Sequence, residues 1–180
     1  MNRKEALCLI ESKIKDDKLI KHMLAVESCM KELALHFSED KEKWTLSGLL
    51  HDIDYEETKD NPEEHGLQGV EYLKKFDISP DILQAIKVHA GHDEAKNNLE
   101  ISLLASDALS GLIVASALVN PEGLSGLSTD FIMKKFKEKQ FARGADRENI
   151  KQCEKMNLSL NDFISICLSG MKSIADDLSL

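Results

Sequence analysis

Six histidines occur in the chain, at His22, His36, His51, His65, His89 and His92, and His51, like His92, is followed directly by an aspartate. The pair His51-Asp52 closes the most apolar turn of the segment LSGLLHDIDYEE, residues 46–57. A helix end meeting water would explain such a pair, and so would a pair that faces inward because it holds something. Helical phase favours the second reading. His22 falls within the apolar stripe Leu19, Val26, Met30, Leu33 and Phe37, and His89 continues the stripe Ile82, Leu83 and Ile86. Asp107 lies between Leu103, Leu104 and Gly111 on a segment that is apolar nearly all round. An inward charge without a partner is costly. A single inward histidine is ordinarily a satisfied core residue. Three separate segments each turning an ionisable group inward, together with the doublet, point to a shared partner, and a metal ion satisfies several such groups at once. Imidazole and carboxylate without thiolate suit iron, manganese, zinc or magnesium, and argue against a structural cysteine zinc site. His36 is expected at an exposed helix end and His92 in a loop.

The elements that must position these groups read as helices throughout. Apolar residues recur at spacings of three and four, and breaks fall at helix-punctuating residues. The pattern predicts helices over residues 3–16, 18–37, 40–54, 62–75, 80–90, 99–119, 129–140, 146–156 and 160–178, with no strand. Asn61-Pro62-Glu63-Glu64 and Ser79-Pro80-Asp81 are helix starts, with a cap, a proline and acids in the first turn. Gly91 and Gly144 are expected as left-handed helix stops. Gly48, one turn before His51, would let a neighbouring helix approach closely.

These expectations describe an all-α chain: a first helix over residues 1–17, a metal-binding core over 18–120 and further helices over 121–180 packing on that core. With 180 residues, such a chain buries roughly 70% of its unfolded surface and needs no disulfide to hold together. Cys8, Cys29, Cys153 and Cys167 are scattered with no C-x-x-C pair, which reads as reduced core thiols in a cytoplasmic protein. The charged N-terminus does not have the form of a signal peptide. Residues 101–119 are long and apolar enough to cross a membrane, but Asp107 near their centre favours a buried core helix. A net charge of -9 argues against a nucleic-acid polymer as partner. Between Lys134 and Lys155, however, eight Lys and Arg face four acids. Lys135, Arg143 and Arg147 in this island form either a phosphate clamp for a substrate or a solvated basic face.

The ordered set His22, His51-Asp52 and Asp107 resembles the HD superfamily of metal-dependent phosphohydrolases. Around it stand HMLAVESCMKELA, LSGLLHDID, HGLQGVEYL, AIKVHAG and LLASDALSG, which together cover about residues 18–118. The resemblance implies that His22, His51, Asp52 and Asp107 bind one divalent metal. The H-G-x-x-G and A-I-x-x-H blocks are similar to the branch with two-metal sites, which implies a second ion on His65 and His89 with Asp52 bridging both. It implies an HD-type helical bundle and hydrolysis of a phosphoester or phosphoanhydride, of a nucleotide in the first instance, with Asp52 at the catalytic centre. Iron or manganese is favoured, with magnesium and zinc as alternatives, and one or two ions per chain. The same fold also hosts di-iron oxygenases, and a non-enzymatic metal- or ligand-binding regulator is the third reading. No membrane partner is expected, and both monomer and homodimer are open.

Overall fold

The helical periodicity becomes eleven α-helices joined by short connections in the computed structural model, which describes residues 1–180. They are α1 (Arg3–Lys13), α2 (Asp17–Phe37), α3 (Lys41–Leu50), α4 (Tyr55–Thr58), α5 (Leu67–Leu73), α6 (Pro80–His89), α7 (Asn98–Leu118), α8 (Thr129–Lys137), α9 (Arg147–Lys151), α10 (Leu160–Lys172) and α11 (Ala175–Leu178). Two 3-10 turns, Pro62–Glu64 and Gln152–Met156, complete the chain, and there is no strand. The fold is an all-α bundle.

Short polar residues start the helices as their chemistry requires. Asn2 and Glu5 form a reciprocal capping box on α1, and the side chains of Asp16, Asp40, Asn97, Ser128, Asp146 and Ser159 accept backbone N–H groups at later starts. Three expected helices are broken. The segment 40–54 stops at Leu50 and turns through His51–Asp54, and 62–75 divides at His65-Gly66. The segment 160–178 divides near Ser173. Gly91 is left-handed at φ 83°, as expected of a stop. Gly144 is not, and Ala142 at φ 45° makes the left-handed turn there instead.

α2 runs through the middle and packs on α3, α7 and α10. Two glycines make this possible. A Cβ on Gly48 of α3 would stand 2.8 Å from the Glu27 Cα, and one on Gly170 of α10 would stand 2.5 Å from the Ser28 carbonyl oxygen. α2 is therefore held at backbone contact from both sides. α7 is the apolar helix that could span a membrane by length, yet most of it is buried inside the bundle. Its serines find partners there: Ser102 donates to the Met156 sulfur and Ser116 to the Leu112 carbonyl.

Buried apolar residues form two clusters. The larger, of 31 residues, joins α2, α7 and the C-terminal helices; the smaller, of 12, joins α1, α2, α3, α5 and α6. Cys29, Cys153 and Cys167 lie in the larger cluster, whereas Cys8 is exposed, which corrects its expected place in the core. The site lies where α2, α3, α6 and α7 meet.

Candidate metal centre

Asp52 sits in the turn after α3, and its two oxygens face different ways. Oδ2 lies 3.5 Å from the Nε2 atoms of both His22 and His51. Oδ1 lies 3.3 Å from the Nε2 atoms of both His65 and His89. Asp107 closes the first group, with Oδ1 3.1 Å from His22 Nε2 and 3.8 Å from His51 Nε2. The six residues therefore converge as two sets sharing one carboxylate, and donor atoms of His22, His51 and Asp107, and of His51, Asp52 and His89, cluster closely enough to hold an ion. Metal–ligand bonds of about 2.0–2.2 Å put neighbouring donor atoms about 3–3.5 Å apart, close to the spacing seen here.

The other ring nitrogens fix which atoms point inward. His51 Nδ1 is 2.8 Å from the Gly48 carbonyl and His89 Nδ1 is 2.5 Å from the Ile86 carbonyl. A carbonyl can only accept, so both Nδ1 atoms carry hydrogen. His65 Nδ1 donates to Asp54 Oδ1 at 3.0 Å. His22 Nδ1 meets Ser110 Oγ at 3.2 Å, and that hydroxyl gives its own hydrogen to the Asp107 carbonyl, so it accepts from the ring. In each neutral imidazole Nε2 is then a bare lone pair directed at carboxylates. His22 Nε2 and His51 Nε2 even face each other at 3.2 Å. Lone pairs against lone pairs and carboxylates repel unless cations lie among them. Outer partners that lock one tautomer are how metal-binding histidines are held. The donor set fits a divalent metal.

Without a metal, protons supply part of the positive charge. Burial opposes a charge on His22, but Asp107 and Asp52 outweigh it and raise its pKa. Burial opposes charge on His65 too, yet Asp52 and Asp54 lift it to about 10. His51 goes the other way, because complete burial lowers it to about 4. Burial would raise Asp52, but the surrounding histidines hold it well below the usual carboxylate range. Asp107 follows the same pattern more mildly, lowered by His22 and His51 against its burial.

Local sequence explains the second set of donors. Gly66 adopts φ 75°, and a Cβ there would lie 2.5 Å from Ala90 Cβ, so only glycine turns the chain beside α6. Gly69 gives its N–H to Asp54 Oδ2 at 2.6 Å. A Cβ at Gly69 would lie 3.1 Å from that carboxyl carbon. Both glycines of H-G-x-x-G therefore serve His65, one by turning the backbone and one by seating its carboxylate partner. Asp54 and Ser110 are functional neighbours that sequence reasoning missed. Asp54 follows the doublet by two residues, and Ser110 lies one turn after Asp107, so each had a positional signal. His92 is in a loop as expected, its Nε2 2.8 Å from the His65 carbonyl, and His36 is exposed as expected.

Above the histidines opens a cleft of about 670 Å³ lined by His65, His89 and Asp107, by Asp93 and Glu94, and by Asn149, Gln152 and Lys155. Asp107 keeps a side-chain exposure of 34% through this opening, so it faces the cleft rather than the closed core. Lys135, Arg143 and Arg147 do not line it, and of the two readings of the basic island a clamp would have to act outside this cleft. Arg147 donates to the Phe141, Ala142 and Ala145 carbonyls, each at 2.6 Å, because its guanidinium ties down the 136–145 turn. Lys135 pairs with Glu138 at 2.8 Å and lies over the Phe141 ring. Arg143 lines a separate basic groove with Lys137, Lys139 and Lys151.

Residues 19–115, just over half of the chain, match the family model described as HD domain. Among curated proteins the chain is 31% identical to Ribonuclease Y of Oleidesulfovibrio alaskensis over 52% of its own length and 18% of that protein. It is 31% identical to Ribonuclease Y of Aliarcobacter butzleri over 60% of its length and 22% of that protein. It is also 27% identical to the tRNA (cytidine(56)-2'-O)-methyltransferase of Picrophilus torridus, over 97% of its length and 50% of that protein. The chain thus spans about a fifth of the ribonuclease relatives and half of the methyltransferase. No solved structure matches it.

Proposed function

The chain belongs to the HD-domain family, and from that membership we propose that it is a metal-dependent phosphohydrolase acting on a phosphoester or phosphoanhydride of a nucleotide. The observation that carries this reading is the tautomer pattern. Four histidines bind outer acceptors through Nδ1 and turn Nε2 toward the two oxygens of Asp52. His22, His51, Asp52 and Asp107 would hold one ion, and His65, His89 and Asp52 a second. Iron or manganese suits this nitrogen and oxygen set, with magnesium and zinc as alternatives. Such ions, when bound, polarise phosphoryl oxygens and make water a nucleophile at neutral pH.

The chain's own residues do the positioning. Asp52 keeps the two sets in fixed relation, because each of its oxygens serves one of them. Asp54 and the Gly48 and Ile86 carbonyls keep the rings from rotating, so the Nε2 atoms stay directed inward. Asp107, at the cleft wall, orients His22 from the side where substrate enters. The acidic overall charge does not exclude a polymer: the relatives are by name a ribonuclease and a tRNA methyltransferase. An RNA phosphodiester is therefore the second reading, favoured by the ribonuclease names of these relatives.

The test is elemental analysis of the purified protein, followed by hydrolysis assays on nucleotides, phosphoesters and RNA with several divalent metals. Asp52→Ala should lose metal and activity while far-ultraviolet circular dichroism stays helical. A fully metallated, active Asp52→Ala would end the assignment. Oxygen consumption by a coloured iron form, without hydrolysis, would replace it with an oxygenase.

A further inference from the structure

The C-terminal part of the chain, outside residues 19–115, builds one wall of the cleft over the histidines. That wall is α9 and the 3-10 turn that continues it. Ile150, Cys153 and Met156, three residues apart, are buried. Asn149, Gln152 and Lys155, each one residue earlier, line the cleft. Residues three apart in a 3-10 turn eclipse one another, so the sequence NIKQCEKM makes two parallel rows, one apolar and one polar. The apolar row is anchored at its end, where Ser102 of α7 donates to the Met156 sulfur at 3.3 Å.

The polar row is uncommitted. Neither the Asn149 nor the Gln152 carboxamide is engaged by another side chain, although both are half-buried, and Lys155 makes no ion pair. Among the lysines of the C-terminal third that make neither an ion pair nor a hydrogen bond, Lys134, Lys137, Lys139 and Lys155, only Lys155 lines the cleft. A carboxamide offers both donor and acceptor atoms, which matches the mixed pattern that a nucleobase edge presents and a bare phosphate, which only accepts, does not. An ammonium beside them is a point charge for phosphate. Asp93 and Glu94 also line the cleft, acids that would turn phosphate away from themselves. A cleft of about 670 Å³ is in the range of small-molecule sites.

We propose that Asn149, Gln152 and Lys155 form the specificity row of the site, with the two carboxamides reading the base of a nucleotide and Lys155 drawing its phosphate toward the histidines. The inference rests on the metal-centre reading for the phosphate end, but it concerns recognition and can be tested without turnover.

The metallated full-length protein is titrated calorimetrically with the 5′-monophosphates of adenosine, guanosine, cytidine and uridine. One base should bind about tenfold more tightly than the weakest. Asn149→Ala and Gln152→Ala should each erase most of that preference at unchanged metal content. Lys155→Ala should weaken all four ligands alike, by about tenfold, and Lys155→Arg should recover most of the loss. Equal affinity for the four in the parent, or an unchanged preference in the Asn149→Ala/Gln152→Ala double variant, overturns the proposal. Base-selective binding through this row in a protein that hydrolyses nothing would support the row and defeat the hydrolase reading. Hydrolysis of bis(p-nitrophenyl) phosphate by a parent without base preference would do the reverse.

Discussion

Asp54 illustrates what a single residue contributes at this site. Its Oδ1 accepts from His65 Nδ1 and its Oδ2 from the Gly69 N–H, so one nearly inaccessible carboxylate fixes both a proposed ligand and the turn beside it. Asp54→Asn keeps the shape but can accept from only one of the two, so either His65 Nδ1 or the Gly69 N–H meets an amide donor and the ring is held less well. Loss of such an outer partner ordinarily weakens metal binding about 10–100-fold. Competition with a chromophoric chelator should show this loss at the second ion, with the helical circular dichroism retained. Retention equal to that of the parent would mean that His65 holds no metal.

The buried thiols make a separate prediction about pH. Burial pushes the Cys153 pKa up to about 12 from an ordinary 9.0, and burial likewise raises Cys167 well above it. In the unfolded chain both ionise from about pH 9, so between pH 9 and 12 the folded state binds more protons than the unfolded one. Stability must then fall as pH rises through that window, and it is unaffected by these groups below it. Thermal melting from pH 8 to 11 should show the decline, and Cys153→Ala should remove part of it. Melting independent of pH above 9 would contradict the burial of these thiols.

At the scale of elements, the contact between α2 and α10 depends on Gly170. Alanine has the better helix propensity, by roughly 1 kcal/mol. Against that, the added Cβ would meet the Ser28 carbonyl oxygen at 2.5 Å and its carbon at 2.9 Å, which are backbone atoms and cannot rotate away. Overpacking of this kind costs about 1–3 kcal/mol, so Gly170→Ala should be destabilised on balance. For a chain of this size each kcal/mol lowers Tm by about 2–4 °C. Metal content should not change, because the site is built on other faces of α2 and on α3, α6 and α7. A more stable Gly170→Ala would mean that α10 sits farther from α2 than described.

At the scale of the molecule, the two apolar clusters and the site are separate sources of stability. The clusters contain 31 and 12 buried residues and none of the six His and Asp groups. Stripping divalent metal with a chelator should therefore leave the bundle folded but lower its Tm. Metal at 100 times its dissociation constant should restore about 2.7 kcal/mol. Differential scanning calorimetry with and without manganese or iron should record the shift, and Asp52→Ala should abolish it. Complete unfolding on chelation would show that metal binding drives the fold. An unchanged Tm in the parent would count against any metal centre there.

Residue order and helical phase by themselves determined the all-α class, the inward phase of His22 and His89, and the family in which His51-Asp52 stands. They could do so because amphipathic periodicity is local: a histidine within an apolar stripe is inward whatever the helix packs against. The meeting of the six groups around the two oxygens of Asp52 was decided only in three dimensions, as were the outer roles of Asp54 and Ser110, since these depend on how α2, α3, α6 and α7 cross. The basic island shows the same divide from the other side. Charge density marked Arg143 and Arg147, but the turn before α9 takes the Arg147 guanidinium for its own carbonyls and leaves Lys155 at the cleft. A sequence records that a side chain is charged; only the tertiary structure assigns its partner, because unpaired backbone carbonyls compete for a cation as effectively as a substrate does.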